Sequence, residues 1–173
     1  MAPLMSLLRL VHIFSGVAWV GIAFVNIVYL QPAIRATAPE GQKVMQYLVT
    51  RTRFTLTSYV AATLTVLSGL IMFGLLSQFR PAYFATPYGT LLTIGALAGI
   101  AGWVLVIFVI RGTLKRMQAV GRQIQTQGGP PTAEQGAEMN ALNARLSRYG
   151  QIGLILIAIA LFGMSVAQYA GSF

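Results

Sequence analysis

Four stretches of the chain stay apolar for long enough to cross a bilayer, and the polar positions crowd between them. The runs lie at about residues 10–30, 54–76, 88–110 and 151–169. A helix needs ~20 predominantly apolar residues to span the hydrocarbon layer, and each run meets that length. Short alternating segments of the barrel kind are missing from the pattern. The expectation is therefore an all-α integral membrane four-transmembrane-helix bundle with helical extensions, a single domain over 1–173.

The polar connections are themselves patterned. In "APEGQKVMQYLVTRTRF", Pro39 and Glu40 suit a first helical turn. Val44, Leu48 and Val49 follow at helical spacing and lead without a breaker into the second span. The third span continues through "RGTLKRMQAVGRQIQTQ" until Gly128-Gly129-Pro130-Pro131 stops it. Thr132 and Gln135 then fit a capping box, in which hydroxyl and amide side chain satisfy exposed backbone N–H groups of a new helix. Spans three and four are thus expected to project beyond the membrane as a helical hairpin with Gly-Gly-Pro-Pro at its tip. That tip lacks the lysine and preceding strand of a phosphate-binding loop. The first run exceeds a signal peptide's 7–15 apolar residues, and no small-residue cleavage site follows it directly, so it reads as a retained helix.

Composition agrees with the pattern: 56% of residues are hydrophobic and only 9% charged, against roughly 25% charged in soluble domains. Charge adds an orientation. Arg35, Lys43, Arg51 and Arg53 lie between spans one and two; Arg111, Lys115, Arg116, Arg122, Arg145 and Arg148 lie between spans three and four. Only Arg9 and Arg80 fall elsewhere. The positive-inside rule then puts both long connections in the cytoplasm and both termini outside an inner (cytoplasmic) membrane. The net charge of +9 is accounted for by topology and anionic headgroups, and implies no nucleic-acid partner. With no cysteine, a disulfide framework, a thiolate metal site and covalent c-type haem attachment are all excluded.

The one histidine, His12, sits inside the first run. At helical periodicity His12, Ser15, Trp19, Ala23 and Asn26 share a stripe, while Phe14, Val17, Phe24 and Val28 mostly point elsewhere. The polar stripe is expected to face the other helices, because an ionisable group in a span avoids lipid and marks a site or an interhelical hydrogen bond. Gly16 and Gly21 flank the stripe and would admit a close neighbour. Asn26 is read as a bridge between helices. If Leu30 and Gln31 mark the inner boundary, His12 lies ~27 Å away, toward the outer leaflet. Arg9, one turn farther out, could snorkel to the interface. An imidazole at the core edge with a guanidinium beyond it is the minimum arrangement for haem b: nitrogen on iron, cation near a propionate. Met72 and Met164 fall at similar depth as candidate sixth ligands, and Trp19 as a neighbour of the macrocycle. Ordinary packing explains a lone histidine equally well, and explains methionines such as Met72 and Met164 better. The three carboxylates, Glu40, Glu134 and Glu138, all lie outside the spans, so neither a proton relay nor a hydrolytic triad is encoded and no catalytic residue is assigned.

The segment "LRLVHIFSGVAWVGIAFVNIVYLQPAIRA" resembles the first helix of CopD-like membrane proteins and their relatives, including the HemJ-type protoporphyrinogen oxidases. "RFTLTSYVAATLTVLSGLIMF", with Ser68-Gly69, is similar to their second helix, and "ARLSRYGQIGLILIAIALFGMSVAQY" to the last helix of small proteins of this kind. The resemblance implies a four-helix bundle with a haem or metal site near His12. The third span, "YGTLLTIGALAGIAGW", carries no counterpart of the lysine that HemJ-type enzymes place there. The functional expectation is a membrane haem protein acting in electron transfer or as an accessory subunit of a redox complex. The alternatives are a cofactor-free structural subunit of a larger assembly and copper handling by His12 with Met72 and Met164. Lipid, other membrane subunits or further copies of the chain are the partners these readings call for.

Overall fold

The structure is a computed structural model that describes residues 2–38 and 40–170. Its helices are α1 (Ala2–Ala36), α2 (Glu40–Arg51), α3 (Phe54–Ser77), the single turn α4 (Pro81–Phe84), α5 (Pro87–Thr126) and α6 (Ala133–Ala167). The four long ones are each long and apolar enough to cross a membrane, and the chain is an all-α four-helix membrane bundle. At 1.5 Å per residue α1 and α6 are ~52 Å long and α5 is ~60 Å, well beyond a ~30 Å hydrocarbon core. Each therefore has an end outside the apolar layer, while α3 nearly matches it.

Packing follows the distribution of small residues. On α6 the buried positions Gly150, Gly153, Ile157, Ala160, Gly163 and Ala167 recur every three or four residues, and on α5 Gly95, Ala98, Gly99, Gly102 and Leu105 do the same. The two stripes meet as the tightest part of the bundle. A Cβ added at Gly163 would lie 2.9 Å from the Leu91 carbonyl oxygen and 3.0 Å from the Gly95 Cα, so backbone rests on backbone. Lipid offers no hydrophobic drive for helix association, so close approach and dispersion must supply the attraction. The pair stays in register past the apolar runs: Val120 is fully buried, and Arg116 Nε donates to Glu138 Oε1 at 2.5 Å across the hairpin.

A second pair is formed by α1 and α3. His12 against Gly69, then Ser15 and Gly16 against Thr65, run antiparallel. Fewer contacts join the two pairs. Trp19 of α1 reaches the notch left by Gly102 of α5, with its Cη2 3.8 Å from where a Cβ would stand. Trp103 of α5 donates from Nε1 to Thr63 Oγ1 of α3 at 3.1 Å. Nearer the arginine-rich end, Ile27 of α1 lies against Gly150 of α6.

Two six-residue π segments interrupt the long helices, Val25–Leu30 in α1 and Leu105–Ile110 in α5. In each, the next backbone N–H reaches back five residues: Gln31 to the Asn26 carbonyl and Arg111 to the Val106 carbonyl. One extra residue per turn rotates the face that follows. Beyond the first segment, the stripe drawn from His12 to Asn26 no longer continues at the α-helical spacing.

The hairpin tip is as its sequence requires. Thr132 Oγ1 accepts from the Gln135 N–H at 3.2 Å, and the Gln135 side chain accepts from the Thr132 N–H at 2.9 Å. Gly128 supplies the positive φ of 67° that turns the chain. Two expectations change. Helix α2 does not run on into α3: the helix breaks at Thr52–Arg53, where Thr52 Oγ1 donates to the Leu48 carbonyl and accepts from the Phe54 N–H at 3.1 Å. A side chain competing for backbone partners ends a helix without glycine or proline. Pro39, assigned to that first turn, lies outside the described residues. Gly21, read as a point of close approach, has no neighbour within 4 Å of an added Cβ.

Candidate functional site: the polar seam at His12

The stripe on α1 is a seam of hydrogen bonds to α3. Ser15 and Trp19 are buried, His12, Ala23 and Asn26 partly so, and Phe14, Val17, Phe24 and Val28 face outward. Ser15 Oγ donates to the Val11 carbonyl at 2.6 Å and accepts from Thr65 Oγ1 at 2.9 Å. Ser68 Oγ donates to the Leu64 carbonyl at 2.6 Å. These hydroxyls find partners within the helix pair, as polar groups in a lipid-solvated bundle must.

His12 Nδ1 lies 2.8 Å from the Thr65 carbonyl oxygen. A carbonyl only accepts, so Nδ1 carries the proton, and in the neutral ring the lone pair is on Nε2. Ser68 Oγ is 3.4 Å from the same Nδ1. Nε2 has no hydrogen-bond partner among the described residues, and it is not one of the fully enclosed unsatisfied atoms. The ring lies on Gly69, whose absent side chain leaves the room: an added Cβ would stand 2.9 Å from His12 Cε1. One ring nitrogen is thus anchored to backbone and the other left available, the second-shell arrangement that orients a ligating imidazole. The same arrangement also seats a packing histidine.

The other candidates divide between the two helix pairs. Arg9 is exposed one turn outward from His12 and forms no salt bridge to a carboxylate among the described residues. Met72 lies three residues beyond Gly69 on α3 and is partly buried, on the pair that holds His12. Met164 belongs to the other pair, with its backbone nitrogen 3.2 Å from a Cβ built on Gly95. Trp19 sits two turns below His12, ~10 Å along the axis, in a cluster with Ala61, Ala62, Val66 and Ile157. It joins the bundle centre rather than the imidazole. Asn26, expected to bridge helices, has an enclosed Oδ1 with no hydrogen-bond partner among the described residues. Among these residues no three of His, Asp and Glu converge, which leaves imidazole and thioether as the available donors.

Sequence reasoning singled out His12 but not the residues that hold it. Thr65 and Gly69 carried a signal in "TLTVLSGL", a hydroxyl and a glycine one turn apart inside an apolar helix. Two clefts also went unread, both at the arginine-rich end. One of about 370 Å³ is lined by Arg35, Asn143, Ala144, Ser147, Arg148 and Gln151. Another, of about 190 Å³, includes Tyr59, Arg111 and Lys115. Neither touches His12.

Fold and seam together define a four-helix membrane protein with one anchored imidazole on its first long helix. No family model, curated protein or solved structure matches the chain.

Proposed function

We propose that the chain is a small integral membrane haem-binding protein that transfers electrons or serves as an accessory subunit of a membrane redox complex. In this reading it lies in the inner (cytoplasmic) membrane with both termini outside and both long connections in the cytoplasm, as its arginines favour. It is a small CopD-like or HemJ-like protein by the resemblance of its first helix. The observation that carries the reading is the Nδ1–H hydrogen bond from His12 to the Thr65 carbonyl, which leaves Nε2 as a fixed donor. Haem b would supply one-electron chemistry at its iron. For its part, the chain would hold the iron through His12 and a propionate through Arg9. Met72 is the thioether that shares the His12 helix pair, and Met164 the one on the neighbouring pair.

The test is the reduced-minus-oxidised spectrum of protein expressed with ample haem, with pyridine haemochrome quantitation. About one haem b per chain, lost in His12→Ala, is the expected result. A flat spectrum, or a His12→Ala variant with unchanged haem content and Soret band, overturns the assignment.

A second reading is favoured by the seat of the ring on Gly69, which accommodates His12 with no ligand at all. In it the chain is a cofactor-free structural subunit whose outward apolar faces meet larger partners. Recovery of a defined complex after gentle solubilisation supports it; a homogeneous folded protein running alone under the same conditions removes it.

A further inference from the structure

The larger cleft stands where α1 and α6 leave their contact at Ile27 and Gly150, on the side of the arginine-rich connections. Two guanidiniums, Arg35 and Arg148, face it together with the neutral donors Asn143, Ser147 and Gln151, and no carboxylate lines it. Neither arginine is in a salt bridge among the described residues. Gln151 opens the apolar run of α6, so the cleft lies at the boundary between hydrocarbon and headgroups. Two guanidiniums and three neutral hydrogen-bonding side chains are a donor set for a phosphate oxyanion.

What lies below the cleft names the source of that phosphate. At 100° per residue, Arg148, Gln151, Ile155, Ile159 and Phe162 fall within about 80° of one another on α6. Ile155, Ile159 and Phe162 are all exposed. They form an apolar track running ~21 Å from the arginine into the hydrocarbon layer, which suits an acyl chain hanging from a bound headgroup. A free phosphate would have no use for it. We propose that the Arg35–Arg148 cleft is a binding site for the phosphodiester headgroup of an anionic phospholipid, with an acyl chain along α6. The site is independent of the haem reading and requires only that the bundle be in a membrane.

The experiment uses the full chain, delipidated in a non-ionic detergent and titrated with phosphatidylglycerol, with bound lipid read by native mass spectrometry. Phosphatidylcholine and inorganic phosphate are the comparison probes. Each charge-assisted contact from a guanidinium to the phosphodiester is worth roughly a factor of ten, so Arg35→Gln with Arg148→Gln lowers phosphatidylglycerol affinity about 100-fold. Lys43→Gln with Arg122→Gln removes the same charge outside both clefts, where salt screens it from the bound headgroup and the detergent offers no anionic surface, and changes affinity less than about 3-fold. Ala144→Phe keeps both arginines, places a ring in the cleft where the headgroup would sit and gives a loss like that of the arginine pair. Equal losses from the two charge-removing pairs would mean diffuse attraction and overturn the site. So would phosphatidylcholine binding as well as phosphatidylglycerol, or inorganic phosphate displacing the lipid, which would make this a site for a soluble anion.

Discussion

The contact between α5 and α6 at Gly95 and Gly163 makes a quantitative demand on the sequence. Replacing Gly163 by Ala puts a Cβ 2.9 Å from the Leu91 carbonyl oxygen, 3.0 Å from the Gly95 Cα and 3.1 Å from the Gly95 nitrogen. Ordinary carbon contacts begin near ~3.5 Å, so α5 must retreat by about half an ångström along a backbone with no rotamer to change. Overpacking of this kind costs ~1–3 kcal/mol. Alanine in place of a helical glycine returns up to ~1 kcal/mol, which could hide the loss. Gly21→Ala supplies the correction, because nothing lies within 4 Å of its added Cβ and it receives the propensity gain alone. The difference between the two variants, ~1–3 kcal/mol, isolates the close approach. Equilibrium unfolding by titrating sodium dodecyl sulfate into mixed micelles, followed by tryptophan fluorescence, measures it, since Trp19 and Trp103 both join the two helix pairs. Equal stability of the two variants, or a Gly163→Ala protein more stable than Gly21→Ala, would refute backbone-on-backbone packing as the source of the α5–α6 association.

Further substitutions test other joints. Gly69→Ala pushes a Cβ against His12 Cε1, so the imidazole should leave the Thr65 carbonyl; loss of the hydrogen-bonded Nδ1–H resonance in nitrogen-15 histidine spectra is expected, and its persistence would contradict the geometry. Thr132→Ala removes the hydroxyl half of the capping box and should lower the stability of the hairpin tip by ~1 kcal/mol, seen as faster amide exchange at Gln135 and Gly136 with the rest of α6 unchanged. Thr63→Val removes the acceptor of the Trp103 N–H at nearly constant volume and should cost ~0.6 kcal/mol, the usual size of an interhelical hydrogen bond in a bilayer; no measurable loss would show that shape and not the N–H joins the pairs.

The sequence alone determined which segments are helical and which face of α1 turns inward. Those properties depend on local periodicity: twenty apolar residues must hydrogen-bond within themselves in lipid, and a stripe from His12 to Asn26 is a fact about one helix. The capping box at Thr132 was equally readable because both partners lie within four residues. Only the tertiary structure decided that the helices associate as α1 with α3 and α5 with α6, since glycine and alanine stripes occur on several helices and do not say which backbone they will meet. It likewise decided what His12 does with its two nitrogens. The Thr65 carbonyl and the Gly69 notch lie more than fifty residues away in the chain, and no local pattern ties them to the imidazole. The break at Thr52 and the π segments escaped the pattern because they arise from a hydroxyl's choice of partner and from one extra residue in a turn, neither of which disturbs hydrophobic spacing enough to be seen. The cleft between Arg35 and Arg148 belongs to the same class. Two arginines more than a hundred positions apart become one anion site only after α1 and α6 have packed at Ile27 and Gly150.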